Sequence, residues 1–382
     1  MPKVSIIIPI YNVEKYIGRC LQSVVGQSFY DIEIICVDDC SPDNSLQIVQ
    51  KYAKQDKRIK IIKNPKNLRL GKTREAGFFA SSGEYVTFVD SDDTICFDYI
   101  EKLYDKAKQT GAEVVKGNVK MIHNNGASEI LDTNKKLSNA LQNKLPLILY
   151  GQSAPWSFLI QKDFLLKYKI MPDEIDGDFC IGNRILHNVK NLVIVFDTFY
   201  NYYYGQETSF SGQNNESGFD IRFNLISSKI KMINSFYIDK KTYIAYIQMH
   251  LEHCFSCLKQ VCANYDKSHT YKYINEFIRV FNVSSDCDTF GGGECYDDCI
   301  QLTIYDKEKY IFDLMNKKIR KAIKTNDCAL LFNILHLINN NKTEKLLLKC
   351  CNLIFFSKHL KIKSKEKVKN RFKQYISLFR IK

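Results

Sequence analysis

The chain has 382 residues, 45% of them hydrophobic, with 14 cysteines and a formal net charge of +13. That length and apolar content give room for two domains, or one enlarged domain, around a real core. The charge argues against a uniformly basic nucleic-acid binder: residues 357–382 hold ten Lys and Arg against the single acid Glu366 and so supply +9 of it. The cysteines lack the short, regular framework of a secreted disulfide scaffold. The opening run MPKVSIIIPIYN is broken by Pro9, which suits neither a leader nor a span, and Leu346 to Phe356 is short and interrupted by Lys349. Unpaired thiols without an export signal point to a reducing cytosol.

Residues 3–120 alternate between strand and helix patterns. Val4 to Ile8 and Ile32 to Val37 are continuous apolar runs of buried-strand length. Between them the spacing predicts a helix over Val13 to Val25, with Asn12 as its cap. Ser41-Pro42 reads as a second helix start, leading Leu46, Ile48, Val49 and Tyr52. A strand at Ile59 to Ile62, a helix around Gly71 to Ser81 and a strand at Tyr85 to Val89 follow. This βαβαβαβ order predicts a doubly wound sheet with ligands at the carboxyl ends of its strands. Further on, Trp156 to Ile160 and Leu192 to Phe199 read as strands and Ile175 to Leu186 as a turn entering a helix. Beyond about residue 216 the pattern is mostly helical, broken at Gly291-Gly292-Gly293.

The strand at Tyr85 to Val89 ends in Asp90, Ser91, Asp92 and Asp93. Three carboxylates at one strand end repel one another unless a cation compensates them. Oxygen-only ligands of this hardness suit Mg²⁺ or Mn²⁺, which keep water and bind substrate phosphates as well. A solvated acidic turn is the bland alternative. Asp38-Asp39 falls at another such strand end.

Four blocks, VSIIIPIYN, VDDCSPDNS, NLRLGKTREAG and FVDSDD, resemble in order and spacing the family 2 glycosyltransferases, which use nucleotide sugars. The resemblance covers about the first 210 residues. It implies an α/β fold of the GT-A type, a Rossmann-like doubly wound sheet, over residues 1–215. Residues 216–382 then form a helical extension with a basic amphipathic tail at about 357–382. Carried over by motif, Pro9 and Tyr11 line the nucleobase pocket and Asp39 accepts a hydrogen bond from the base. Arg74 pairs with phosphate or Asp, and Glu75 departs from the family's usual Asn. Asp90-Ser91-Asp92 is the DxD element, with Asp90 toward the ribose or metal shell and Asp92 on the Mn²⁺ or Mg²⁺ that bridges the diphosphate. Asp93 either caps the helix beginning near Phe97 or supports the site from behind.

The resemblance also implies an acidic base before a helix with an apolar pair seven and eight residues on. Asp178, followed by Ile185 and Leu186, fits; Gly177 replaces the usual Glu, and Asp176 is the rival, with Glu174 nearby. Ala154 to Leu159 and Tyr202-Tyr203-Tyr204 look like acceptor-side segments, although Gly205 stands where an Arg is common. Trp156 and the tyrosines are candidates for sugar contact or ordinary core.

His250, His253, Cys254 and Cys257 share a helix face but lack the second ligand pair of a structural zinc site, so they read as a half-buried face. Val368, Phe372, Tyr375, Ile376 and Phe379 line one face of the basic tail, which suits an anionic membrane surface.

The expectation is a metal-dependent, inverting glycosyltransferase, peripheral on the cytoplasmic face of a membrane. It moves a sugar from a UDP-linked donor to a hydroxyl of a growing surface glycan or glycolipid, with no nucleic-acid partner. A nucleotidyltransferase would need a glycine-rich basic loop after the first strand, where Ile10-Tyr11-Asn12-Val13 stands. A non-catalytic nucleotide-sugar or nucleic-acid binding protein is the rival from another class.

Overall fold

The structure, a computed structural model, describes residues 1–151, 154–170 and 177–206, with isolated positions between 228 and 246. The 215/216 boundary, the His/Cys cluster, the triple glycine and the basic tail lie outside the described residues.

The described part is built on one mixed sheet. Its first half is parallel, in the order β3 (Ile59–Lys63), β2 (Ile32–Asp38), β1 (Val4–Ile10), β4 (Tyr85–Phe88). Beyond β4 lie β8 (Phe158–Gln161), antiparallel to both neighbours, then β6 (Val114–His123), β9 (Leu192–Tyr204) and the two-residue β5 (Thr94–Ile95). The short β7 (Ser128–Ile130) hangs on β6. Every residue of β1, β2 and β4 is buried, as continuous apolar runs in a centrally placed parallel sheet should be.

Alternation along β1 assigns its two faces. Val4, Ile6, Ile8 and Ile10 join one apolar cluster with α1 (Ile17–Val25) and α4 (Tyr99–Thr110). Ile7 faces α3 (Arg69–Ala80) on the other side, where Gly77 lets the helix close onto the sheet. A Cβ there would sit 2.5 Å from Ile7 Cγ2 and 3.1 Å from Val37 Cγ2. Arg74, one turn earlier on the same face of α3, is carried to the end of β4 by that close approach. The remaining helices are α2 (Ser45–Gln55), α5 (Thr133–Gln142), α6 (Lys162–Lys167) and α7 (Gly177–Asn188).

Two helix starts differ from the sequence expectation. Asn12 sits in the left-handed region (φ 55°), residues 13–16 form a turn, and α1 begins at Ile17. Ser41-Pro42 does not open α2, which begins at Ser45. Ser41 is spent on the strand ends instead: its N–H donates to Asp38 Oδ1 (3.3 Å) and its hydroxyl to the Ile10 carbonyl (3.5 Å). The first helical N–H of α2 is satisfied by Asp43 Oδ1 at 3.1 Å. In the later part, Trp156 and Ser157 precede β8, and β9 runs on to Tyr204.

At the amino edge of the sheet, β2 buries a carboxylate. Glu33 Oε1 accepts from Ser5 Oγ (2.6 Å), Ser82 N (2.6 Å) and Ser82 Oγ (2.9 Å), and Oε2 accepts from Lys60 Nζ (2.6 Å). Burial pushes the Glu33 pKa up, but these four donors outweigh it and bring it from 4.5 to about 2. A folded value below the unfolded one stabilises the protein above pH 4.5, and that stability is lost as pH falls through about 2. Glu33→Gln is therefore expected to cost on the order of 2 kcal/mol at pH 7. Urea unfolding at stepped pH should show the gap to wild type narrowing once the pH is below about 4.5.

Candidate active site

The carboxyl edge of β1, β2 and β4 gathers the residues selected by motif. Pro9 is buried in β1 opposite Val37, and Tyr11, the first residue past the strand, is 48% exposed with its ring toward solvent. Asp39, the first residue past β2, is buried. Its Oδ1 accepts from Asn64 Nδ2 (2.7 Å) and from the Leu68 amide (2.8 Å) at the entrance to α3. Among the described residues nothing donates to Oδ2, so an oriented acceptor is left for a ligand N–H. Asn64 escaped selection by sequence; its one local signal is the Asn64-Pro65 turn directly after β3.

The loops after β1 and β2 are laced together. Val13 N donates to Ser45 Oγ (2.9 Å), Glu14 N to Asp43 Oδ2 (2.8 Å) and Asn44 N to Glu14 Oε2 (2.9 Å). Tyr11 and Asp39 are thus held on one frame.

The acidic run after β4 forms a turn closed by Asp93 N to the Asp90 carbonyl (3.0 Å), with Ser91 and Asp92 at its centre. Its three carboxylates have three different surroundings. Asp90 Oδ1 accepts from Arg74, which is wholly buried and lies 5.9 Å from the Phe88 ring centre. Asp93 is buried; its Oδ2 accepts from the Tyr200 hydroxyl (2.9 Å) and its Oδ1 from the Tyr203 amide (2.8 Å). The Tyr200 oxygen also accepts from Asp90 N at 3.0 Å. Burial, then the charges of Asp92 and Asp90, raise the Asp93 carboxyl well above the usual carboxylate range. Asp92 is half-buried, and no side chain among the described residues donates to its carboxylate. Burial and then the Asp90 charge push its pKa up to about 6.

Asp93 therefore supports the turn from behind and does not cap the next helix, which begins at Tyr99 after Asp98. Glu75 forms an ion pair with Lys72 at 2.8 Å on its own helix. Trp156, 6% exposed, stacks on Tyr200 (4.7 Å between ring centres, 21°) and Tyr202 (5.3 Å, 15°). These stacks hold the segment before β8 against β9, so of the two sequence readings of Trp156, sugar contact or core, the structure places it in the core. Asp178 is the second residue of α7, with Ile185 and Leu186 buried beyond it. Its side chain, with Asp176 and Glu174, lies outside the described residues.

A family model for glycosyl transferase family 2 matches residues 5–167. An uncharacterized glycosyltransferase of Haemophilus influenzae is 30% identical over 195 residues, which cover 51% of this chain and 76% of that protein. The chain belongs to glycosyltransferase family 2. The GalNAc(5)-diNAcBac-PP-undecaprenol beta-1,3-glucosyltransferase of Campylobacter jejuni is 37% identical over 116 residues, or 30% of this chain and 37% of that protein. The chain spans 16%, 60% and 33% of the length of three further curated relatives. Among solved structures, S. aureus TarS 1-349 in complex with UDP-GlcNAc matches with a TM-score of 0.60 at 22% identity, covering 74% of this chain and 81% of that one. The fold is GT-A.

Does this family 2 site suit a divalent cation? Among the described residues no three acidic, His or Cys side chains converge into a cage. Asp90 is engaged by Arg74 through one oxygen and Asp93 is held by Tyr200 and the Tyr203 amide, which leaves Asp92 and the second oxygen of Asp90. Mg²⁺ and Mn²⁺ are commonly held by one or two carboxylates plus substrate phosphates and water, so the residues present fit that mode. The raised Asp92 pKa comes first from burial and then from the neighbouring Asp90 charge, and a bound cation would offset both.

Tyr200 ties β9 to both ends of the turn, so Tyr200→Phe leaves the Asp90 amide and one oxygen of buried Asp93 without their partner. A loss of about 1–3 kcal/mol in unfolding free energy is expected by urea denaturation. Donor turnover should fall with it, because the turn that presents Asp92 loosens.

Proposed function

We propose that the chain is a metal-dependent, inverting glycosyltransferase that moves a sugar from a UDP-linked donor to a hydroxyl of a growing surface glycan or glycolipid. One observation carries this reading. An open acceptor oxygen on Asp39, the outward ring of Tyr11 and the half-open Asp92 carboxylate all lie at the carboxyl edge of the same three adjacent parallel strands. That arrangement suits a base at one end and a diphosphate at the other.

In the proposed complex, the Tyr11 ring packs on the nucleobase, a contact worth about 1–3 kcal/mol where bases stack on protein aromatics. Asp39 Oδ2 accepts the base N–H, its orientation fixed in advance by Asn64 and the Leu68 amide. Arg74 holds Asp90 in place so that its free oxygen meets the ribose or the metal shell. Asp92, with Asp90 beside it, would hold Mg²⁺ or Mn²⁺, whose Lewis acidity offsets the charge that develops on the departing diphosphate. Asp178 takes the proton of the acceptor hydroxyl as its oxygen bonds to the anomeric carbon and the bond from that carbon to the diphosphate oxygen breaks. Attack from the face opposite the leaving group inverts the anomeric centre.

The UDP assignment draws on the motif resemblance, and TarS, of the same fold, was crystallised with UDP-GlcNAc. The relative from C. jejuni is named for a polyprenol-linked acceptor, which supports a lipid-linked glycan here. Among the described residues no helix is long and apolar enough to cross a membrane. In this reading the basic residues of 357–382 bring the enzyme to an anionic bilayer at its cytoplasmic face.

The test is nucleoside diphosphate release from a panel of UDP-, GDP- and dTDP-sugars with Mn²⁺ or Mg²⁺. Release from one donor is expected, reduced at least about 100-fold in Asp92→Ala. Asp178→Asn should keep donor binding but lose transfer by about 10²–10⁴-fold once the acceptor is present. No release and no nucleotide binding across the panel would sink the reading in favour of a non-catalytic binding protein.

A further inference from the structure

Asp92 is aimed by contacts to its backbone, and the strongest of them comes from a residue outside every motif. Arg19 stands on α1, 73 positions away in sequence, and its Nη2 donates to the Asp92 carbonyl at 2.5 Å. The guanidinium carbon lies 3.6 Å from the centre of the Tyr203 ring and 5.2 Å from that of Tyr16. Its Nε is buried and makes no hydrogen bond among the described residues, so one strong bond and one close ring contact define its pose. Gln206 Nε2 donates to the same Asp92 carbonyl at 3.2 Å. Both acceptor positions of that oxygen are therefore filled. The next residue, Asp93, is fixed by the Tyr203 amide.

This grip has two consequences. The two donors restrain the peptide after Asp92, so the direction in which its Cα–Cβ bond leaves the turn is set before any ligand arrives. A permanent positive charge also stands against a turn of three carboxylates, in addition to that of Arg74 on Asp90. A guanidinium on an aromatic ring keeps its charge while losing water, which strengthens both effects.

We propose that Arg19, seated on Tyr203, is a positioning residue that presets Asp92 for the cation-bound diphosphate of the donor. The proposal rests on the transferase reading above. It assigns Tyr203 and Gln206, at the end of β9, to the donor side of the site.

The test is UDP binding by calorimetry on the full chain in Mn²⁺, with melting temperature measured alongside, for wild type, Arg19→Lys, Arg19→Ala and Tyr203→Leu. Arg19→Ala should weaken UDP at least about tenfold with melting within about 3 °C of wild type, because Gln206 still holds the carbonyl. Arg19→Lys, which keeps the charge without the flat contact, should fall between them. Tyr203→Leu should weaken UDP as well, and combining it with Arg19→Ala should add little beyond the larger single loss. Affinity within about twofold of wild type in Arg19→Ala overturns the proposal, as does a loss that Arg19→Lys fails to relieve and that tracks a fall in melting temperature. A wild-type chain that binds no UDP in Mn²⁺ overturns the donor reading itself, and the role of Arg19 with it.

Discussion

Three carboxylates crowded into four residues at the end of β4 are the constraint around which the rest of the site is arranged. Left in like surroundings they would repel and drive up one another's pKa. The fold separates their fates. Asp90 is compensated by a buried guanidinium, Asp93 is withdrawn among hydrogen-bond donors, and Asp92 is left half-buried with no side-chain donor on its carboxylate among the described residues. Each of those choices has a structural cost paid elsewhere. Burying Arg74 needs α3 close to the sheet, hence the absence of a Cβ at Gly77. Withdrawing Asp93 needs a tyrosine hydroxyl at a fixed depth, hence the Trp156 stack that locks Tyr200 in place.

The nucleobase side obeys a similar logic with one carboxylate. Asp39 has one oxygen saturated by Asn64 and the Leu68 amide, and this leaves its other oxygen directed rather than free to rotate. Asn64 is itself braced by Thr73, whose hydroxyl donates to the Arg69 carbonyl at 2.8 Å. The start of α3 thus orients Asp39 while its middle orients Asp90. One helix sets both halves of the site, which fits a donor whose base and diphosphate must be held at a fixed separation.

What could be read from sequence follows from the range of the interactions involved. Buried strands declare themselves through local apolar runs, so β1, β2, β3 and β4 were legible, as was the placing of Asp39 and Asp90 to Asp93 at strand ends. The helix starts at Asn12 and Ser41 were misleading because the same polar residues that cap helices also fasten loops. Ser41 is used for the strand ends and Asn12 for a left-handed reversal. Arg19, Asn64 and Tyr200 were not legible at all. Their partners lie 73, 25 and 107 residues away, and nothing in a local pattern distinguishes a helix arginine or a strand tyrosine that reaches an acidic turn from one that does not.

The left-handed residues show where the fold accepts strain for this arrangement. Asn12, Cys40 and Arg69, with φ of 55°, 59° and 67°, each directly follow a residue of the nucleotide side: Tyr11, Asp39 and Leu68. Asn tolerates that conformation, but for Cys and Arg it costs on the order of 1 kcal/mol each. The gain is geometric. A left-handed residue reverses the chain at once, so the side chain or amide just before it stays at the strand edge while the loop turns away. Ser157, at φ 72°, does the same between Trp156 and β8 and lets the indole face Tyr200. Two further left-handed residues, Lys144 and Lys169, follow the ends of α5 and α6, but among the described residues none lies within a strand, which is what a preset site on a rigid sheet requires.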